Sequence, residues 1–598
     1  MQGIDPDLAL RIVRDDPNPI AFDTETTGLT RKDIVCGWVI TNAEHSIYVP
    51  VRHEGGGNIP RVSDFERGLS AAFEDRSRQG FLTVGHHLGF DLRMALKHGV
   101  RLWHPLEDTM INEALIYDLT VGYGLDDLSA RWEVTLKKGD ELYRLLADRF
   151  GGLPDRKTMK NFWRLEGDHP VAVDYATTDG ISTLGVRAKQ QPKLDEIGVR
   201  KPWALECRLL PYLARMHHRG LKIDMGYADR LLADTFDPDT LKSAIAEAAK
   251  AFTPGFNFRS PKEVEALYRA NGFDEFKLTA TGKPSFTEEF LDTNEIGKAI
   301  LEVRRLEKLR DSFVMPLAVT HNYDGRVHPV LNQSKSDEYG VAGARLSASE
   351  PNLQAFPKRN KTIGKKVRPL VIPDEGMVLY EDDFQQQEPR FFTPYSECAV
   401  LLDGYRSGTM DIHDLSNSLL FHNEDRDKAK RLGMGMLTML GIPELSRRLK
   451  VDEHEAKRLK KAFLDDAFPE IRDFQNAVIK AFRNRGWVKD ILGRVAWLED
   501  QRFAYQGVSR VIQNSGGEHM KTGLLRVNEI EDAYPEEINV LLSIHDSTIF
   551  QTGNPELADA AEKALNGVAH EPDFNLLVPI PVDVGKGKNW SEASYGQV

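Results

Sequence analysis

Near the N-terminus three short runs, PIAFDTET (19–26), IVCGWVI (34–40) and SIYVPV (46–51), are rich in β-branched and aromatic residues. Over residues 1 to about 200 such runs alternate with helical patterns. Strands alternating with helices predict an α/β domain over residues 1 to about 200. From about 205 to 320 apolar positions recur at helical spacing, and EIGKAILEVRRLEKLRDSFVMPL (295–317) predicts a long, charged amphipathic helix. The remainder mixes both patterns. Its block 411–470 predicts helices almost throughout, and VLLSIHDSTIFQTG (540–553) predicts strand, turn, strand. Neither internal repeats nor low-complexity tracts interrupt the chain.

Acidic residues break this pattern in two places. The apolar run MVLY (377–380) delivers Glu381, Asp382 and Asp383 side by side, and Glu388 follows a glutamine run. Like charges so close repel unless a cation compensates. In AFDTETTGL (21–29), Asp23 and Glu25 are two apart on a strand, so both project from one face. VGHHLGFDLRMAL (84–96) puts Asp91 at the start of a helical pattern, and DYATTDGISTLGV (174–186) puts Tyr175 and Asp179 on one helix face. Four carboxylates and a phenol are the parts for phosphodiester hydrolysis by two divalent ions roughly 4 Å apart.

The 598 residues imply two or more packed cores. No apolar run is long enough to span a membrane, and the acidic N-terminus lacks a signal core. Three scattered cysteines fit a reducing cytoplasm. A net charge of −13 argues weakly against an anionic partner, but KRNKTIGKKVRPL (358–370) concentrates six cations in eleven positions.

The N-terminal set, with EDTMINEALIYD (107–118) and YGLDDLSARW (123–132), resembles the 3′–5′ proofreading exonucleases of the D-E-D-D type with tyrosine in the third motif. The resemblance implies Asp23, Glu25, Asp91 and Asp179 as metal ligands and Tyr175 as the residue orienting water. His87 stands where that family has asparagine, which implies retained but altered activity. Downstream, segments 324–359, 380–392, 426–441, 486–498, 543–550 and 582–593 follow in the order and spacing of family A DNA polymerases. That resemblance implies Asp383 and Asp546 as ligands of two Mg²⁺ ions, with Mn²⁺ as a substitute.

It implies further that Glu388 excludes the 2′-hydroxyl, with a helix-start carboxylate as its plainer role. Arg426, Lys430, Met434 and Thr438 recur every four residues and would line a nucleotide-binding helix face, joined by His413 and Gln386. Arg345, Gln513 and His545 would meet primer–template DNA, and Lys365, Lys366 and Arg368 its backbone. Met434 and Thr438 stand where the family has aromatic rings, and Ser547 where it has glutamate. Lost rings predict altered sugar or base discrimination, including room for a preference for 2-aminoadenine over adenine.

The expected fold is an α/β plus α+β multidomain chain. A ribonuclease H-like exonuclease (1–200) precedes a right-hand polymerase (201–598), with thumb about 205–325, palm about 326–410 and 471–598, and fingers about 411–470. A 5′-nuclease domain is expected to be missing, as in a bacteriophage enzyme acting in the host cytoplasm. No large insertion in 225–320 suggests recruitment of a processivity protein. Primer–template DNA and deoxynucleoside triphosphates are the implied partners of a monomer, with other replisome proteins beside it. A single-subunit RNA polymerase and a non-catalytic accessory protein are the competing readings.

Overall fold

The computed structural model describes residues 2–135, 139–235, 256–276, 278–279, 282–335, 340–358, 361–409 and 411–596. Contacts divide the chain into two compact units. One comprises Met1–Arg219, Val330–Ser349 and Asp382–Val584; the other comprises Gly220–Pro329, Glu350–Glu381 and Gly585–Val598.

In the first unit a six-stranded sheet runs in the order Gln2–Gly3, Ser46–Pro50, Val35–Thr41, Ile20–Thr26, Thr83–Gly85, Leu106–Asp108. The three N-terminal runs are therefore strands. Ile20–Thr26 is antiparallel to Val35–Thr41 and parallel to Thr83–Gly85. Phe22, Trp38, Ile40 and Val49 enter one core. Cys36, Val39 and Tyr48 enter a second, with Phe162, Tyr175 and Ala176. Asp23 lies opposite Val39 and so shares that second face. Fully burying Phe22, Trp38 and Tyr48 contributes about 1.5–3 kcal/mol per side chain, which fixes the register. A slip of one residue would turn Asp23 and Glu25 into the opposite core.

The helix Pro170–Ile197 packs on this second face. Its close approach depends on Gly180, where a β-carbon would lie 2.0 Å from Thr41 Oγ1. Asp179, the preceding residue, is thereby brought down onto the sheet.

Farther along the same unit, Ile538–Ile544 and Ser547–Thr552 pair antiparallel with Ile544 opposite Ser547. His545 and Asp546 form the two-residue turn, and His545 takes the positive φ (54°) that such turns favour. The block 411–470 holds the helices Ile412–Phe421, Arg426–Leu437, Ile442–Leu449 and Glu453–Lys461.

The second unit contains a four-stranded sheet, ordered Val371–Ile372, Leu221–Ile223, Arg326–Val327, Asn322–Tyr323. In the same unit, Tyr268 gathers Phe276, Phe286 and Phe290 at ring separations of 6.2, 5.8 and 5.4 Å. The helix predicted over 295–317 keeps α geometry only from Glu295 to Leu309, then widens into π turns at Arg310–Val314 and Pro316–Thr320. Pro316 has no N–H to continue the ladder. Among the described residues, no helix is long and apolar enough to cross a membrane.

Candidate active sites

The strand Ile20–Thr26 and the helix Pro170–Ile197 bring Asp23, Glu25 and Asp179 together, with one ligand atom of each within 4.8 Å of the others. Asp91 is not one of this trio but is tied to Thr24, the residue between Asp23 and Glu25. Asp91 is 3% exposed, and its Oδ1 accepts from the Thr24 N–H at 3.0 Å and the Thr24 hydroxyl at 2.6 Å. Burial, reinforced by the charge of Asp23, holds the Asp91 carboxyl well above the usual carboxylate range. Tyr175, one turn before Asp179, is buried with its ring 6.0 Å from that of Phe162.

His87 has φ 57°, a conformation that asparagine and histidine tolerate better than most residues. Its N–H and that of Leu88 donate to Asp108 at 3.0 and 2.8 Å. Asp108 was not singled out in the sequence, although an acid ahead of a helical pattern signals a cap. Here it caps Thr109–Ile116 while holding the turn before Asp91, and burial pushes its carboxyl up to about 6.

The second site forms where two strands end together. The Phe384 N–H donates to the Asp546 carbonyl at 3.0 Å, so Asp383, one residue earlier, comes to the hairpin turn that carries Asp546. Both aspartates are partly exposed, while Asp382 is buried. Gln386 begins the next helix in a left-handed conformation (φ 48°). Glu388 lies in the first turn of that helix and accepts Arg345 Nη2 at 2.5 Å. The Ala344 N–H donates to Asn514 Oδ1 at 3.2 Å, which sets Arg345 beside the helix segment carrying the half-buried Gln513. His545 is exposed on the turn, and Ser547 is buried.

Arg426 opens the helix Arg426–Leu437, donating to Asp414 Oδ1 at 2.6 Å and Asp411 Oδ2 at 2.8 Å. Lys430 is exposed one turn on, and Met434 is half-buried a turn later. Thr438 ends that helix, its N–H still donating to the Met434 carbonyl at 3.1 Å. It caps the helix from outside, with its hydroxyl donating to the Met434 carbonyl at 2.8 Å. His413 is 3% exposed and interior, and burial draws its pKa below the ordinary histidine value.

One expectation is corrected. Arg368 is only 2% exposed and therefore cannot form part of a DNA-facing surface. It lies 4.2 Å over the Trp590 ring and donates to Glu381 at 3.2 Å. Lys358 Nζ at 3.0 Å, the Trp590 indole at 2.9 Å and the Ser594 hydroxyl also donate to Glu381. Part of the cation demanded by the acidic run is thus arginine and lysine. Lys365 is exposed and Lys366 half-buried; residues 359 and 360, and the side chains of 361–363, lie outside the described residues.

Residues 236–592 match the family described as DNA polymerase family A. The chain belongs to that family. Residues 7–195 match the 3′–5′ exonuclease family. Among relatives of this family A polymerase, "DNA polymerase DpoZ" of Acinetobacter phage SH-Ab 15497 is 28% identical, with 96% of each chain covered. The protein of the same name from Vibrio phage phiVC8 is 27% identical over 96% of this chain and 95% of its own. DNA polymerase I of Rhizobium leguminosarum is 27% identical over 96% of this chain, which spans only 59% of that relative. In fold, the chain is similar to the POL domain of Pol1 from M. smegmatis in complex with DNA primer-template and dNTP. That likeness has a TM-score of 0.80 at 20% identity, over 99% of this chain and 100% of the other.

Proposed function

We propose that the chain extends primer 3′ ends with deoxynucleotides on a DNA template and removes mispaired ends in the 3′–5′ direction, as a monomer acting in phage genome replication. The observation that supports this reading is the Phe384–Asp546 hydrogen bond, which brings two aspartate-bearing strand ends next to each other. Oxygen-only donor sets suit Mg²⁺ or Mn²⁺, and three carboxylates within 4.8 Å fit such an ion. Asp23, Glu25 and Asp179, together with Asp91, would hold metal for hydrolysis; Asp383 and Asp546 would hold it for synthesis. When bound, divalent ions at such sites activate an attacking oxygen and neutralise charge on the leaving group.

The protein's own groups supply orientation. Tyr175 orients water at the editing site. Glu388 stands against a 2′-hydroxyl, Arg426 and Lys430 hold the triphosphate, and Arg345 and Gln513 meet the minor groove. Lys365 and Lys366 contact DNA phosphates. Primer extension in Mg²⁺ against EDTA, with deoxy- and ribonucleotides, tests this. Metal-dependent extension with deoxynucleotides supports it. Ribonucleotide synthesis would favour an RNA polymerase, and no synthesis an accessory protein.

A finer reading concerns base choice. Met434 and Thr438 carry no ring where family A polymerases have one, which leaves room for a preference for 2-aminoadenine over adenine. Competition between the two triphosphates, with and without Asp23→Ala, checks it. Equal incorporation in both proteins would contradict the preference. A bias that vanishes with Asp23→Ala would locate it in editing.

A further inference from the structure

Arg426 is gripped along one edge. Its Nε and Nη2 each donate to a carboxylate, Asp414 at 2.6 Å and Asp411 at 2.8 Å. A guanidinium is a planar fork with five N–H donors, so the Nη1 hydrogens and the second Nη2 hydrogen remain on the opposite edge. That edge has the bidentate geometry that suits phosphate.

The gripping acids are themselves fixed. Asp411 is 8% exposed, and its Oδ1 accepts the His413 and Asp414 N–H groups at 2.7 Å each, capping the helix Ile412–Phe421. Its Oδ2 also accepts Gln386 Nε2 at 2.5 Å, and Gln386 Oε1 accepts the Tyr405 hydroxyl at 3.0 Å. Gln386 belongs to the turn just after Asp383. A hydrogen-bonded chain therefore runs from the catalytic strand through Gln386 and Asp411 to Arg426.

Resting on the polymerase reading above, we propose that Asp411 and Asp414 are positioning residues. They clamp one edge of Arg426 and present the other to the triphosphate of the incoming nucleotide. The sign of the effect is diagnostic. Two acids near an anionic ligand should weaken its binding if they act by charge alone, so neutralising one would tighten binding. Acting as a clamp, they should strengthen it.

Steady-state kinetics of Asp414→Asn test the clamp. The nucleotide KM should rise about five- to tenfold, with kcat within about twofold and single-strand 3′–5′ degradation unchanged. The rise should disappear in an Arg426→Ala background, because the clamp acts only through that arginine. An unchanged or lowered KM, or the same rise without Arg426, overturns the proposal. So does a joint fall of both activities, which marks a structural role. If Asp414→Asn does not fold, Asp411→Asn, whose amide oxygen can still cap the helix, is read in the same way. Arg426→Ala separates the two levels: if it leaves KM untouched, the triphosphate site itself is wrong. If it raises KM while Asp414→Asn does not, only the clamp fails.

Discussion

Glu381, Asp383 and Glu388 crowd into one short stretch yet have different surroundings. Glu381 is neutralised internally by Arg368 and Lys358, and Glu388 is engaged by Arg345. Asp383 is left partly exposed next to the turn carrying Asp546. If Glu388 excludes the 2′-hydroxyl, Glu388→Ala should lower the preference for deoxy- over ribonucleotides by about 10–100-fold. The ratio of the two incorporation efficiencies measures this, and an unchanged ratio leaves Glu388 only its role as a helix-start acid. Asp23 and Glu25 were legible in the sequence because a strand repeats every two residues, and Tyr175 and Asp179 because a helix nearly repeats every four. Glu381, Asp411 and Asp414 were not. Trp590 and Ser594 reach Glu381 from the far end of the sequence, and Gln386 joins Asp411 across a chain reversal. A carboxylate's letter does not say whether its partner is a metal or an arginine.

Helices and strands were legible where periodicity was strong, as in the sheet of the first unit and the helices of 411–470. The failures came at their ends. The Arg426 helix stops at Leu437, and the long helix after Asn294 widens at Arg310, ahead of Pro316. The basic run failed differently, because charge in sequence does not reveal burial. Arg368→Ala should destabilise the second unit by about 3–5 kcal/mol, since it strips a buried carboxylate of its buried counter-ion. Lys365→Ala, at an exposed position, should leave stability alone and reduce the salt dependence of DNA binding by about one charge. Thermal unfolding and salt titration of DNA affinity distinguish the two. Equal effects of both variants on both measurements would mean that the run acts as one surface.

Within the first unit, a buried charge network ties distant segments together. Glu206 accepts Arg494, Lys521 and Gln333, and Glu518 accepts Arg494 Nε at 2.5 Å. Asp490, whose Oδ1 accepts the Leu492 and Arg494 N–H groups at 3.0 and 2.8 Å, is the third acid against two cations. Burial, then the charge of Glu518, pushes its carboxyl up to about 8 from an ordinary value of 3.8. The folded chain therefore holds a proton that the unfolded chain has released across that interval. The resulting stability is full below the ordinary value and is lost as pH rises through about 8. The thermal midpoint should fall as pH rises from about 4 to about 8 and level off above, and Asp490→Asn, neutral throughout, should flatten that fall. An identical slope in both proteins would assign the proton elsewhere.

The most direct measurement is the single-turnover rate of nucleotide addition by Asp546→Asn, taken beside 3′–5′ degradation of single-stranded DNA in the same preparation. If the paired aspartates form the synthetic site, addition should fall at least about a thousandfold while degradation, served by Asp23, Glu25 and Asp179, stays at its original rate. Retention of near-normal addition, with degradation intact, would contradict the assignment of synthesis to Asp383 and Asp546.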